Sequence, residues 1–327
     1  MPELVPVTDD IRRATKSTVR RIFFGPDELR AGWRLLLFIV LVVAIGVPVG
    51  WLSSRFIPPL TGTLIPGDVI PNEVLRFFVV LLASLVMGRI ERRTLGDYGL
   101  PARNMLGKDF WAGGVWGFVM ISGIIGLMAV THTYAFGGMT LSPAQVVKYG
   151  LLWGVAFLFV GFAEEFSFRG YIQFTLTKGL GFWPATAVTC ALFAWVHHGN
   201  PGETWIGLLN IVLIAAFICL ALRRTGSLWF PIGWHLAFDW GESFFYSVPD
   251  SGTHVVGHLF DATIQGNKWL TGGTVGPEAS VFNVLVTVVG VVVFTQLYRQ
   301  AKYPRNGSQR GTPMLVTASP DQRHLTQ

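Results

Sequence analysis

Eight apolar stretches dominate the sequence, near residues 35–53, 74–90, 109–131, 145–165, 182–198, 204–222, 227–246 and 281–298. Each is close to the roughly 20 residues that a helix needs to cross a bilayer core of about 30 Å. Lipid offers no partner to an unpaired peptide group, so every stretch is expected to be helical. The fold class that follows is all-α, a polytopic transmembrane helix bundle of about eight spans. Composition agrees. Only 13% of the residues are charged, about half the usual share of a soluble domain, and twelve Trp suit the membrane interfaces.

Charge then orients the bundle. With both termini cytoplasmic, all but Arg55, Arg76, Lys148 and Lys268 of the 25 Lys and Arg fall on segments assigned to the inner side, as the positive-inside rule requires. The net charge of +6 therefore reads as a topology signal and calls for no nucleic acid. The basic N-terminal segment can also meet anionic lipid. Residues 1–30 are expected to form a basic cytoplasmic tail, 31–300 the transmembrane domain with its motif core at 145–246, and 301–327 a flexible cytoplasmic tail. The first 34 residues lack the apolar run of a cleavable signal peptide. Residues 247–280 are too polar to span and read as an outer loop. Cys190 and Cys219 sit inside apolar runs and read as small core residues without a disulfide.

Against this background the polar residues inside the spans stand out. The stretch GFAEEFSFRGY places Glu164, Glu165 and Arg169 at the end of the fourth span. Each ionisable group at membrane depth costs roughly 2.5–3.5 kcal/mol on insertion scales. Glu165 and Arg169 are spaced i, i+4, so they share a helix face in the favourable order. That pairing leaves Glu164, about 100° away, without a reason. The fifth span ends in LFAWVHH, with Phe193 and His197 one turn apart. The seventh contains GWHLAFDW, with His235 and Asp239 at i, i+4. Such groups avoid lipid by facing the bundle interior or a water cavity. A carboxylate beside imidazoles there suits general-base chemistry or metal binding. His198, next to His197, points elsewhere on a helix and reads as interfacial. His254 and His258 share an i, i+4 spacing in a loop broken by Gly257, a poor metal site. The Gly-rich 270–280 segment lacks the Lys of a phosphate loop.

EEFSFRG, FAWVH and HLAFD, in that order on separate spans, resemble the three motifs of the CPBP family of intramembrane proteases, which includes the CAAX-processing endopeptidases and bacterial self-immunity proteins. LGDYGL at 95–100 resembles a further element of that family. The resemblance implies a membrane endopeptidase in which Glu164 and His197 activate a water. His235 and the residue at 239 would stabilise the oxyanion, the electrostatic contribution that is usually largest in acyl transfer. Glu165 would be a second carboxylate or a structural one, its charge fixed by Arg169, and Phe193 a structural residue of the site. Where the family pattern has Asn or Asp, this chain has Asp239. An ionised Asp cannot donate to an oxyanion, so Asp239 is protonated, orients His235 or ligates a metal. Glu164, His197, His235 and Asp239 would make a mixed ligand set for zinc, although His-Glu-x-x-His is absent.

The expected partners are the lipid bilayer and a membrane-associated peptide or protein substrate, in a bacterial cytoplasmic membrane. The alternative is a non-proteolytic transporter or immunity scaffold whose buried charges are structural. One geometric demand falls on the joint site. The expected spans put Glu164 near the inner end of its helix and His197 near the outer end of the next. The two meet only if the fourth helix starts later or runs deeper than residue 165.

Overall fold

A chain this apolar hides its peptide groups in helices, and the computed structural model, which describes residues 23–25, 29–60 and 62–304, is a helical bundle. Its helices are α1 (Ala31–Ser53), α2 (Pro66–Glu91), α3 (Lys108–Val130), α4 (Pro143–Phe166), α5 (Gln173–Leu180), α6 (Phe182–His197), α7 (Trp205–Thr225), α8 (Trp229–Asp239), the single turn α9 (Lys268–Thr271) and α10 (Val281–Leu297). π-helical turns follow α4 (Ser167–Ile172) and α8 (Trp240–Phe245). A helical segment overlaps each of the eight expected spans. Among the described residues, five are long and apolar enough to cross a membrane, and α6 and α10 are shorter apolar helices. The tails expected at 1–30 and 301–327 lie mostly outside the described residues.

Helix ends follow local chemistry. Pro143 opens α4 behind a capping box of Ser142 and Gln145, which satisfies orphan N–H groups. Thr204 accepts from the Gly207 N–H at the start of α7, and Gly226 closes it with φ +89°. Large apolar side chains remain exposed along α1, α3 and α10, among them Val47, Trp51, Val115, Val119, Leu285 and Val289. In water this would be an aggregation surface. In lipid it is the contact face.

The fourth helix differs from its expected boundary. It does not stop at 165 but continues through the π turn into α5, one helical stretch from Pro143 to Leu180. Arg169, counted above with the inner loops, therefore lies inside the bundle at 1% exposure. The basic residue suggested a helix end by composition, whereas a buried partner keeps it in place. At Gly170 the backbone leaves helical geometry (φ −79°, ψ −114°), and a Cβ there would meet the Phe166 ring at 2.8 Å.

Helix α8 runs through the centre, packed on α3 and α4. It approaches α3 backbone to backbone. A Cβ on Gly113 would lie 2.1 Å from the Phe230 carbonyl oxygen, and one on Gly117 would lie 2.2 Å from that of Trp234. This Gly-x-x-x-Gly pair is the small-residue contact by which helices associate in lipid, where no hydrophobic force drives them together. At the end of the bundle that carries LGDYGL, Glu91 accepts from the Arg34 guanidinium and the Tyr171 and Tyr98 hydroxyls. Tyr98 is the tyrosine of LGDYGL. At the opposite end, the 247–280 loop is tied down by two short ladders. Strand β1 (Thr63–Leu64) pairs in parallel with β3 (His254–Val255), and β2 (Tyr134–Ala135) antiparallel with β4 (Thr263–Ile264).

Candidate active site

The continuation of α4 satisfies the geometric demand set by the sequence. Glu164 sits in mid-helix and faces His197 at the end of α6 and His235 on α8. A cavity of about 210 Å³ opens among these helices, and Glu73, Glu164, Glu165, Arg169, Phe193, His197, His235 and Asp239 line it together with Asp250 and Glu278 from the 247–280 loop. All seven residues singled out from the motifs line this one cavity.

Two shells differ in access. Glu164 and His197 keep 15% and 16% of their side-chain surface, whereas Glu165 and Arg169 keep 1% each. A substrate can touch the first pair and not the second. Glu164 Oε2 lies 3.9 Å from His197 Nε2 and 3.7 Å from His235 Nε2, spacings that invite a bridging water rather than a direct bond. His197 Nδ1 donates to the Phe193 carbonyl at 2.7 Å. Because a carbonyl only accepts, Nδ1 holds the proton and Nε2 faces Glu164. The Phe193 ring is wedged between His197, centroids 4.3 Å apart, and the Arg169 guanidinium, 4.2 Å away. The Phe-x-x-x-His spacing thus fixes the imidazole twice, through backbone and ring.

His235 is held on both sides. Its Nδ1–H donates to Glu165 Oε1 at 2.9 Å, and its Nε2 lies 3.3 Å from Asp239 Oδ2. Glu165 Oε1 also meets Arg169 Nη1 at 3.4 Å, while Glu165 Oε2 and Arg169 Nε find no hydrogen bond. Glu165 and Arg169 therefore act on the cavity through His235 and Phe193. Elsewhere, His258 Nδ1 donates to the Phe260 carbonyl, and His198 is exposed beside Trp195. Cys190 and Cys219 are free thiols buried in the core.

As arranged, Glu164, His197, His235 and Asp239 do not fit a single zinc ion. Among the described residues, the group whose ligand atoms all fall within 4.8 Å of one another is Glu242, Asp250 and Glu278, and the four residues from the motifs do not close on one point in that way.

Glu73 and Arg76 were missed in the sequence. Both lie in α2, Glu73 is 2% exposed, and Arg76 Nη1 donates to both its carboxylate oxygens at 2.7 and 2.8 Å. Their i, i+3 spacing is the available signal, but the expected second span begins at residue 74, just after Glu73.

Residues 146–241 match the family model for type II CAAX prenyl endopeptidases, Rce1-like. The matched segment holds all three motifs and bears out the resemblance to the CPBP family. No curated protein matches the sequence. With its apolar helices, the chain is an integral membrane protein, and its segment 146–241 is similar to the CAAX-protease-like intramembrane peptidases.

Proposed function

We propose that the chain hydrolyses a peptide bond of a membrane-associated peptide or protein with a water activated by Glu164 and His197. The observation that carries this reading is the convergence of Glu164 Oε2 on the Nε2 atoms of His197 and His235, at 3.9 and 3.7 Å, inside a cavity walled by apolar helices. A water in the first gap gives its proton to Glu164 as its oxygen attacks the scissile carbonyl. His197 Nε2 orients that water by accepting its second hydrogen.

The carbonyl oxygen becomes an oxyanion on the His235 side. His235, carrying a proton on each ring nitrogen, donates Nδ1–H to Glu165 and turns Nε2–H towards the oxyanion. Asp239, 3.3 Å from Nε2, orients the ring or, when protonated, donates a second hydrogen bond. Collapse of the tetrahedral intermediate breaks the C–N bond, and the proton held by Glu164 passes to the leaving amine. The balance is one water consumed and one peptide bond cleaved. The chain resides in a bacterial cytoplasmic membrane with both termini inside, a single transmembrane domain between two tails.

The test compares membrane-bound peptides in cells carrying the wild type and Glu164→Gln. The substitution keeps the side-chain volume and removes the base. Peptides that shorten only with the wild type identify the substrate. Identical peptide profiles, with both proteins inserted to the same level, would leave the buried charges structural and refute the reading.

A further inference from the structure

Three carboxylates outside the segment that matches the family meet at the outer end of the cavity. Glu242 comes from the π turn that extends α8, Asp250 from the outer loop, and Glu278 from the 3-10 turn Pro277–Ala279 before α10. One oxygen of each lies within 4.8 Å of the others. Glycines force the approach. Gly276 (φ +118°) and Gly252 (φ +80°) hold backbone conformations that other residues rarely adopt, and a Cβ on Gly276 would sit 2.1 Å from the Pro249 carbonyl oxygen. The loop is thus folded back so that Glu278 faces Asp250 across the end of α8.

The cluster has too few donors. Ser243 donates to Asp250 at 3.0 Å, and the Ser251 N–H and hydroxyl donate to Glu278, each at 2.8 Å. Glu242 is fully buried, and neither of its oxygens has a hydrogen bond. The Glu278 N–H faces this carboxylate but falls short of bonding geometry. Burial and neighbouring carboxylates push the Asp250 carboxyl well above its ordinary range, and burial above all pushes Glu278 up to about 7. A buried carboxylate with no partner is retained in a fold only where something neutralises it.

We propose that Glu242, Asp250 and Glu278 bind one hard divalent cation, calcium, which pins the outer loop to the end of the helix carrying His235 and Asp239. All three donors are carboxylate oxygens, the ligands of hard cations. Calcium takes oxygens at about 2.3–2.6 Å, so two ligands on opposite sides of it stand up to about 5 Å apart. Magnesium demands near-ideal octahedral geometry at about 2.0–2.1 Å and usually keeps several waters, so a loop-borne set of three carboxylates suits calcium better. Asp250 and Glu278 also line the catalytic cavity, so the ion would form part of its roof without touching Glu164 or the histidines.

The full-length protein in detergent is stripped with a chelator and titrated with calcium, with magnesium in a parallel arm. Bound ion is counted by calorimetry and mass spectrometry, and the thermal unfolding midpoint is followed. One calcium per chain is expected, with a midpoint several degrees higher in millimolar calcium and a smaller rise with magnesium. Glu242→Gln, Asp250→Asn and Glu278→Gln should each weaken binding at least tenfold and abolish the midpoint rise. A wild type that retains no ion and melts identically with and without calcium would show that protons neutralise the cluster, and the proposal fails. It fails equally if the variants bind and respond as the wild type does. Should Glu242→Gln not fold, Asp250→Asn and the wild-type titration still decide.

Discussion

Breaking the buried Glu165–Arg169 pair from either side should cost different amounts, and the difference can be worked from the geometry. The two groups sit at 1% exposure with 3.4 Å between Arg169 Nη1 and Glu165 Oε1. At an effective dielectric of about 20, their attraction is about 5 kcal/mol. Removing one partner of a buried pair typically costs about 3–5 kcal/mol, because a charge is left behind. Arg169→Met leaves Glu165 bonded to the His235 Nδ1–H, so about 3 kcal/mol is expected. Glu165→Gln leaves the buried Arg169 charge with no carboxylate, facing the Phe193 and Phe168 rings at 4.2 and 6.0 Å, so about 5 kcal/mol is expected. The double variant removes both charges and should cost about 5 kcal/mol rather than the sum, a coupling of about 3 kcal/mol.

Unfolding in mixed micelles by denaturing detergent measures all four proteins, and a peptidase assay adds a second axis. Arg169→Met should retain more activity than Glu165→Gln, since Glu165 still holds His235. Additive stability losses, or an Arg169→Met protein less active than Glu165→Gln, would refute this account of the pair.

Four further outcomes are expected. Phe193→Leu removes the ring between Arg169 and His197 and should lose about 1–2 kcal/mol of cation–π and packing energy, with peptidase kcat falling more than stability explains. Asp239→Asn separates its roles: retained activity that extends to higher pH supports hydrogen-bond donation, whereas uniform loss across pH supports orientation of His235. Reporters fused after Arg224 and within 250–275 should report the cytoplasm and the outer side respectively, and reversed signals would overturn the topology. In chelator, thermal stability should fall as pH rises from about 5 to 7. The Glu278 carboxyl is raised to about 7 in the fold, so the folded state holds its proton more tightly than the unfolded chain and loses that advantage as pH climbs. Glu242, Asp250, Asp239, Glu203, His197 and the Ser251 donors all face this group. Calcium should reverse the slope by taking the proton's place, which melts at stepped pH with and without the ion will check.

Much of the bundle was legible because apolar runs report transfer free energy directly, and eight runs have eight overlapping helical segments. The cavity was legible because Glu164, His197 and His235 have no reason to be in lipid unless they face one another. What composition could not report is pairing. The i, i+4 spacing pairs Arg169 with Glu165, yet the charge count sets it with the inner segments, because transfer scales price a lone charge and contact with Glu165 and Phe193 changes that price. Glu73 was left outside its helix for the same reason, with Arg76 as the unseen partner. Hydropathy also says nothing of Gly113 and Gly117, whose missing Cβ atoms set how near α8 lies to α3. The 247–280 segment reads as an outer loop, and nothing local in it shows that Asp250 and Glu278 fold inward on Glu242.

The charges around the cavity divide in an informative way. Its inner part holds the carboxylates Glu73, Glu164, Glu165 and Asp239, against Arg76, Arg169, His197 and His235. With both imidazoles protonated, four positive groups face four negative ones. With His197 neutral, one negative charge remains, and Glu164 is the carboxylate whose nearest cationic nitrogen stands farthest away, at 3.7 Å on His235. Under the proposed reaction, that charge is the one a water proton would neutralise. The outer part holds Glu242, Asp250 and Glu278 with no cationic side chain in an ion pair with them among the described residues. The uncompensated negative charge therefore gathers in the roof, not at the reacting centre. A cation bound there would relieve the repulsion between the roof and Asp239, which lies within the electrostatic reach of both Asp250 and Glu278. The proposed ion and the proposed chemistry would then be coupled through one residue. Asp239 is also where this chain faces the choice between acid and amide, so calcium should shift the pH dependence of the wild type more than that of Asp239→Asn.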